Sequence, residues 1–167
     1  MTQKFDLGPL KAILDGRRVS TGESVLQLHS HDESYHAPHL PDVVVWPHTT
    51  EEASRLVSWA RQNKVPVVAW GAGTSLEGNP IPVRGGMVVD CTEMNRILAV
   101  RAEDFQVDVQ AGVVYKDLNK QLARDGLFFP PDPGAAATVG GMIGNNASGI
   151  RSVRYGATKD YVMRLAV

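Results

Sequence analysis

Between residues 42 and 70 the chain runs through an apolar stretch, a capped amphipathic segment and a second apolar stretch, and this order restricts the fold more than any other feature. Asp42–Trp46 holds three consecutive valines closed by Trp46 and Pro47, the pattern of a buried strand. Thr49-Thr50-Glu51-Glu52 has the form of a capping box, with Thr49 as N-cap and Glu52 three residues on. Ala53, Leu56, Val57 and Ala60 then fall at i, i+3, i+4 and i+7, which predicts a helix to about Asn63. Val65–Trp70 reads as a second buried strand. Strand, helix and strand in this order form a βαβ unit, whose strands run parallel through a right-handed crossover. The loop that follows, Gly71–Gly78, therefore lies at the carboxyl end of a parallel strand, where open α/β sheets bind ligands.

Beyond that loop the pattern changes. Met87–Asp90, Ile97–Val100 and Phe105–Gln110 are short strands, and in the last Phe105, Val107 and Val109 alternate with polar residues, as in a sheet with one wet face. A helix is expected from Tyr115 to about Arg124, with Tyr115, Leu118 and Leu122 on one side and a stop at Gly126. Tyr161–Val167 reads as a strand in which the chain stops. Upstream, Leu7–Leu14 is a short helix ending at Gly16, and the remainder to Leu40 is read as loop. The expected class is α+β: a small parallel βαβ subdomain and a more antiparallel second subdomain, truncated at the C-terminus. The expected division is an N-terminal extension, 1–40, and a ligand-binding domain, 41–167.

Composition sets the limits on partners. Lys and Arg total 17 against 18 Asp and Glu, a net charge of −1, without the basic excess of a nucleic-acid surface. Cys91 is the single cysteine, which rules out an intrachain disulfide and a cysteine-based zinc site. Residues 1–11 lack the apolar run of a signal peptide, and no stretch approaches the length of a membrane span. The expectation is a cytoplasmic protein, compatible with a peripheral position at an inner membrane.

Two glycine-rich segments carry the chemistry. Gly71-Ala72-Gly73-Thr74-Ser75-Leu76-Glu77-Gly78 begins like G-x-G-x-x-G, but position 76 is Leu; Gly73 to Gly78 has phosphate-loop spacing, but Asn79-Pro80 replaces Lys-Ser/Thr. NTP hydrolysis is therefore disfavoured. Successive amides in a Gly-rich turn still make an anion-binding concavity, to which the Thr74 and Ser75 hydroxyls add donors. The second segment, Pro130–Gly156, is almost free of bulky apolar side chains. It offers a helix start at Thr138 or Gly140, where unpaired amides suit an anion, and Asn145, Asn146 and Ser148, which suit a polar ring. Each segment also has a plainer reading, as a tight connection or a surface loop.

His29, His31, His36 and His39 cluster in a loop before the first strand. They lack an H-E-x-x-H motif or an i, i+4 pair, and Pro38 opposes a regular helix, so solvated or hydrogen-bonded histidines are preferred and no metal site is assigned. Cys91, Trp46 and Trp70 read as core. Arg151, Arg154 and Lys159 suit either a diphosphate or plain solvation.

Taken in order, Val67–Gly78, Pro131–Pro133, Thr138–Gly141, Gly144–Gly149 and Arg154–Tyr161 closely resemble the PCMH-type FAD-binding domain of the vanillyl-alcohol oxidase/p-cresol methylhydroxylase superfamily. Gly144–Tyr161 is most similar to the D-lactate dehydrogenase and glycolate oxidase flavin-subunit branch. The resemblance implies that Gly71, Ala72, Gly73, Thr74, Ser75, Leu76 and Gly78 wrap the FAD pyrophosphate. It implies that Pro131, Asp132, Pro133, Thr138, Gly140, Gly141, Gly144, Asn145, Ser148 and Gly149 run along the flavin and ribityl chain, with Tyr155 and Gly156 continuing that wall. Some relatives attach flavin through a histidine in the first loop; Thr74 stands at the matching place, which implies non-covalent FAD.

Members of that branch continue into a cap domain that carries substrate groups, the catalytic base and a metal site. No such part falls within these residues, so no catalytic residue and no metal ligand is assigned. The resemblance implies the N-terminal FAD-binding portion of an enzyme oxidising a small D-2-hydroxy acid, of D-lactate or glycolate type, by hydride transfer to flavin N5. An electron-acceptor protein or a quinone would complete the cycle, and the portion by itself is expected to be inactive. The alternatives are a non-catalytic FAD or nucleotide-binding module completed by a partner chain, and the flavin domain of an alkyl-dihydroxyacetone-phosphate synthase-like enzyme.

Overall fold

The computed structural model describes residues 6–166, which form two compact units dividing between Glu93 and Met94. The first unit is built on a four-stranded sheet. Its elements are α1 (Gly8–Ile13), β1 (Val19–Ser20), α2 (Glu23–Leu28), β2 (Val43–Val45), α3 (Thr50–Gln62), β3 (Val67–Trp70) and β4 (Met87–Asp90). The sheet order is β1-β2-β4-β3, with β1 antiparallel to β2 and the other pairs parallel.

The sheet is covered on both faces, which explains why β2 is apolar at every position. Val43 and Val45 join Leu10 and Leu14 of the α1 region, Leu56 and Ala60 of α3, Met87 and Val89 in one cluster. Val44 points the other way and packs with Leu26 of α2, Trp70 and Val88. Burying each of these valines contributes on the order of 1.5–3 kcal/mol.

Local signals set α3. The Thr49 hydroxyl accepts from the Glu52 amide, as an N-cap should. The reciprocal half of the capping box is absent, because the Glu52 carboxylate accepts instead from the His48 amide and pairs with both terminal nitrogens of Arg18, at 2.7 and 2.8 Å. That pairing holds the Glu52 carboxyl well below its usual range, at about 2. Leu56 and Ala60 are buried as expected, whereas Val57 is about half exposed and Trp59 contributes to the core instead.

Three expectations for this unit need correction. β3 is an edge strand with Val67 partly exposed, not a buried one, because β4 inserts between β2 and β3. Met87–Asp90, expected to open the antiparallel part, is thus the fully buried centre of the parallel sheet. The stretch to Leu40 is not all loop: it supplies β1, whose Val19 pairs with Val45, and the short helix α2. A two-residue strand and a six-residue helix leave too little periodicity to read from sequence.

The second unit holds an antiparallel pair, β5 (Ile97–Arg101) and β6 (Gln106–Val109), followed by α4 (Tyr115–Leu122), α5 (Val139–Gly144) and α6 (Ser152–Tyr155). Tyr115, Leu118 and Leu122 of α4 are buried, and a 3-10 turn carries the chain to Gly126, which takes the left-handed conformation. Leu118 and Leu122 pack with Val113 and Val139, flanked by Val107 and Val109 of β6. Phe105 lies outside β6: it occupies a left-handed turn and is 81% exposed. The expected last strand does not form. Residues 158–161 are a 3-10 turn and 162–166 are irregular and pair with no strand among the described residues; Val167 lies outside the described residues. The mixed parallel and antiparallel α+β class is as expected.

Candidate functional site

In the first unit, β3 ends at Trp70 and releases the chain into Gly71–Gly78. Gly73 has φ +68°, and a Cβ there would lie 2.6 Å from the Trp70 indole, so this glycine is required by both backbone and packing. The Glu77 amide donates to the Ser75 hydroxyl and the Gly78 amide to the Asp32 carboxylate. Among the described residues, the six amides from Gly71 to Leu76 have no protein acceptor. A run of unpaired amides on a glycine turn is what a diphosphate needs from a chain without a phosphate-loop lysine. The loop fits the pyrophosphate of FAD on that observation.

A segment distant in sequence, before β2, supports this loop, and sequence reasoning missed it. Asp32 is buried, with one carboxylate oxygen on the Ser34 amide and the other on the Gly78 amide, 3.0 and 2.8 Å away. Burial raises its carboxyl, but the Ser34 hydroxyl and amide, the Gly78 amide and the Ser75 hydroxyl together outweigh that and hold it below the usual range. The signal available was Asp32-Glu33-Ser34, an Asx-turn sequence. A cavity of about 300 Å³ opens beside Gly78, lined by His36, Ala37, His39, Glu77, Ile81 and Val83.

The histidine cluster separates on folding. His29 is buried between Trp46 and Trp70; its Nδ1 lies 2.8 Å from the Val25 carbonyl and its Nε2 3.0 Å from Asp90. Asp90, at the end of β4, also accepts from the Trp46 indole and the Thr92 amide; although burial raises its carboxyl, its bonds with His29 and Thr92 keep it below the usual range. His31, His36 and His39 are exposed. No group of three or more His, Cys, Asp or Glu that could hold a metal is found among the described residues. Cys91 packs against the apolar cluster, and burial pushes its thiol up to about 11.

In the second unit the expected helix start is present, but not with the expected chemistry. Thr138 caps α5 through its hydroxyl, which accepts from the Gly141 amide. The Val139 and Gly140 amides donate to the carbonyls of Val113 and Ala111 at 2.8 Å. The N-terminus of α5 therefore has no open amides for an anion. Its C-terminus is closed as tightly: Ala147 and Asn146 donate to Met142 and Ile143, a Schellman arrangement with Asn146 in the left-handed position usually held by glycine. Asn146 also accepts from the Lys159 amide, so it serves the fold and not a polar ring.

The glycines of this segment divide by what surrounds them. A Cβ on Gly140 would meet Ala111 at 2.8 Å, one on Gly149 would overlap the Asp132 carbonyl, and one on Gly156 would meet the Asp160 carboxylate. A Cβ on Gly144 would meet nothing within 4 Å, and one on Gly141 only the Thr138 hydroxyl. Asp132, between Pro131 and Pro133, accepts from the Tyr115 hydroxyl at 2.7 Å and from the Gly134 amide. Those bonds lower its carboxyl, while burial and then Asp132 push Tyr115 up to about 12. Tyr155 meets Phe128 edge-on, and the Tyr161 hydroxyl donates to its carbonyl. The open face is thus narrower than expected: Gly141, Gly144 and Ser148, whose hydroxyl has no protein partner among the described residues. A flat ligand could lie against that face, so the segment fits the flavin part of FAD there and not at the helix N-terminus.

A family model described as an FAD binding domain matches residues 41–167. The chain belongs to that family. This FAD binding domain is 40% identical over 153 residues to the D-lactate dehydrogenase of Anaerostipes hadrus, covering 90% of this chain and 32% of the relative. It is 38% identical over 142 residues to glycolate oxidase subunit GlcD of Bacillus subtilis, covering 84% of this chain and 30% of the relative. The chain thus spans about a third of the length of the curated relatives it matches. Among solved structures, an alkyldihydroxyacetonephosphate synthase superposes with a TM-score of 0.84 at 27% identity, covering 92% of this chain and 30% of that one. Among the described residues, no helix is long and apolar enough to cross a membrane.

Proposed function

We propose that this domain holds FAD non-covalently as the cofactor-binding portion of an enzyme that oxidises a small D-2-hydroxy acid of D-lactate or glycolate type. The observation that carries the reading is the run of six amides from Gly71 to Leu76 with no protein acceptor among the described residues. In this reading Gly71–Leu76 bind the pyrophosphate, with Gly78 closing the loop. Gly141, Gly144 and Ser148 face the flavin side, together with Asn145. Pro131, Asp132, Pro133, Thr138, Gly140, Gly149, Tyr155 and Gly156 shape that wall from behind. Thr74, which carries no nucleophilic ring nitrogen, is the reason for assigning non-covalent attachment.

When bound, FAD would supply the two-electron acceptor. The chain's own residues would neutralise the diphosphate through oriented dipoles and present one flat face to the ring. A group that removes the substrate hydroxyl proton is needed as well, and no residue of this chain is assigned to that role. In the whole protein that group, and the contact with an electron-acceptor protein or quinone, would come from elsewhere. A reducing compartment such as the cytoplasm suits the lone cysteine.

The visible spectrum of the purified chain tests the reading. Bound oxidised flavin is expected after reconstitution with FAD and gel filtration; a colourless chain after excess FAD would refute it. The second reading, a flavin domain of alkyl-dihydroxyacetone-phosphate synthase type, is favoured by the TM-score of 0.84 to such an enzyme. Flavin reduction by D-lactate or glycolate in the whole protein separates the two, since a synthase of that kind carries out no net oxidation of a hydroxy acid.

A further inference from the structure

We infer that Asp32 is a positioning residue for the diphosphate loop, holding Gly71–Gly78 in its binding shape from a segment that precedes the FAD-family region at 41–167. The inference rests on the reading of that loop as the pyrophosphate site. Asp32 is 7% exposed and carries a carboxylate immediately behind a loop proposed to receive an anion, a placement that opposes binding unless the carboxylate does something the loop needs.

What it does is accept two main-chain hydrogen bonds. Its Oδ1 takes the Ser34 amide and its Oδ2 takes the Gly78 amide. Beside it the Glu33 amide donates to the Ser75 carbonyl at 3.1 Å. Two consecutive residues therefore grip both ends of Ser75–Gly78. Gly78 itself has φ +74°, and a Cβ there would lie 2.6 Å from the His36 ring, so a side chain at 78 cannot take over the work of the brace.

Asp32 draws the Gly78 amide inward, away from the amides of Gly71 to Leu76 that have no protein acceptor among the described residues. Holding a loop in its bound conformation removes the ordering penalty from the binding step. A carboxylate is required because both partners are N–H donors: an asparagine offers one oxygen and one NH₂, and its NH₂ would face an amide hydrogen.

The test is FAD affinity of the purified chain, read by quenching of flavin fluorescence, in Asp32→Ala, Asp32→Asn and Arg18→Ala. Arg18 pairs with Glu52 in the same unit and has no contact with the loop, so its variant controls for general destabilisation. Asp32→Ala is expected to weaken FAD tenfold or more and Asp32→Asn at least threefold, while Arg18→Ala stays within twofold of wild type. Should Asp32→Ala fail to fold by circular dichroism, the isosteric Asp32→Asn decides. Affinity within twofold of wild type in the folded Asp32 variants, or an equal loss in Arg18→Ala, overturns the positioning role and leaves the FAD site standing. No binding by wild type removes the FAD site and this inference with it.

Discussion

Among the described residues, the main-chain amides from Gly71 to Leu76 meet no protein acceptor, whereas from Val139 to Gly141 each amide is taken by a carbonyl or hydroxyl of its own unit. The two segments are alike in composition and opposite in how their backbones are used. In the first, glycine gives a turn whose donors remain available for a ligand. In the second, Gly140 and Gly149 let backbone approach backbone, while Gly141 and Gly144 leave space a ligand could fill. Glycine content therefore marks a place where chains come close, without saying whether the close partner is protein or cofactor.

Substitutions that add a single Cβ can break this comparison. The largest effect is expected at Gly149, where the new carbon overlaps the Asp132 carbonyl: Gly149→Ala should destabilise the second unit by about 3 kcal/mol or more, measured by urea unfolding. A loss under about 1 kcal/mol would mean that this glycine is open to ligand after all. Gly73→Ala comes next. Its φ of +68° and its contact with Trp70 predict a loss of about 2 kcal/mol before any cofactor is added. Weakened FAD binding in that variant would therefore not by itself locate the pyrophosphate.

The Arg18–Glu52 pair, which ties the β1 region to α3, gives an intermediate effect. Glu52 has a folded pKa of about 2 against an ordinary 4.5, so its contribution is complete above about pH 4.5 and is lost as pH falls toward 2. With Glu52 partly solvated, the loss should be on the order of 1–2 kcal/mol. Comparing urea midpoints of wild type and Glu52→Gln between pH 6 and 3 checks it: the gap should narrow on acidification, and a constant gap would dismiss the pair. The smallest stability effect is expected at Gly144. Gly144→Ala should change stability by less than about 0.5 kcal/mol, since a Cβ there meets nothing within 4 Å and alanine favours helix, and Gly144→Leu extends that side chain over the same face. The leucine variant should weaken FAD at least tenfold, and unchanged affinity would remove this face from the site.

Much of the local structure could be read directly. Thr49 as the cap of α3, Gly126 as the stop after α4 and Thr138 as the cap of α5 all follow from side-chain chemistry within three or four residues. Errors arose where the outcome depended on distant partners. Val67 and Met87 belong to equally apolar runs, yet one lies at an edge and the other at the centre, because strand order is set by which faces α1, α2 and α3 cover. Tyr161–Val167 has a strand's composition, yet residues 162–166 pair with no strand among the described residues.

The order of residues alone determined the longer helices and the central strands, the α+β class and the likeness to FAD-binding domains, since capping, periodicity and motif spacing are local and survive translation into one dimension. Tertiary structure alone decided that β4 sits at the centre of its sheet, that the amides at the start of α5 are closed, and that Asp32 reaches Gly78. The physical reason is the same in each case: a hydrogen-bond donor or a missing Cβ acquires its meaning from the atoms opposite it, and those come from elsewhere in the chain.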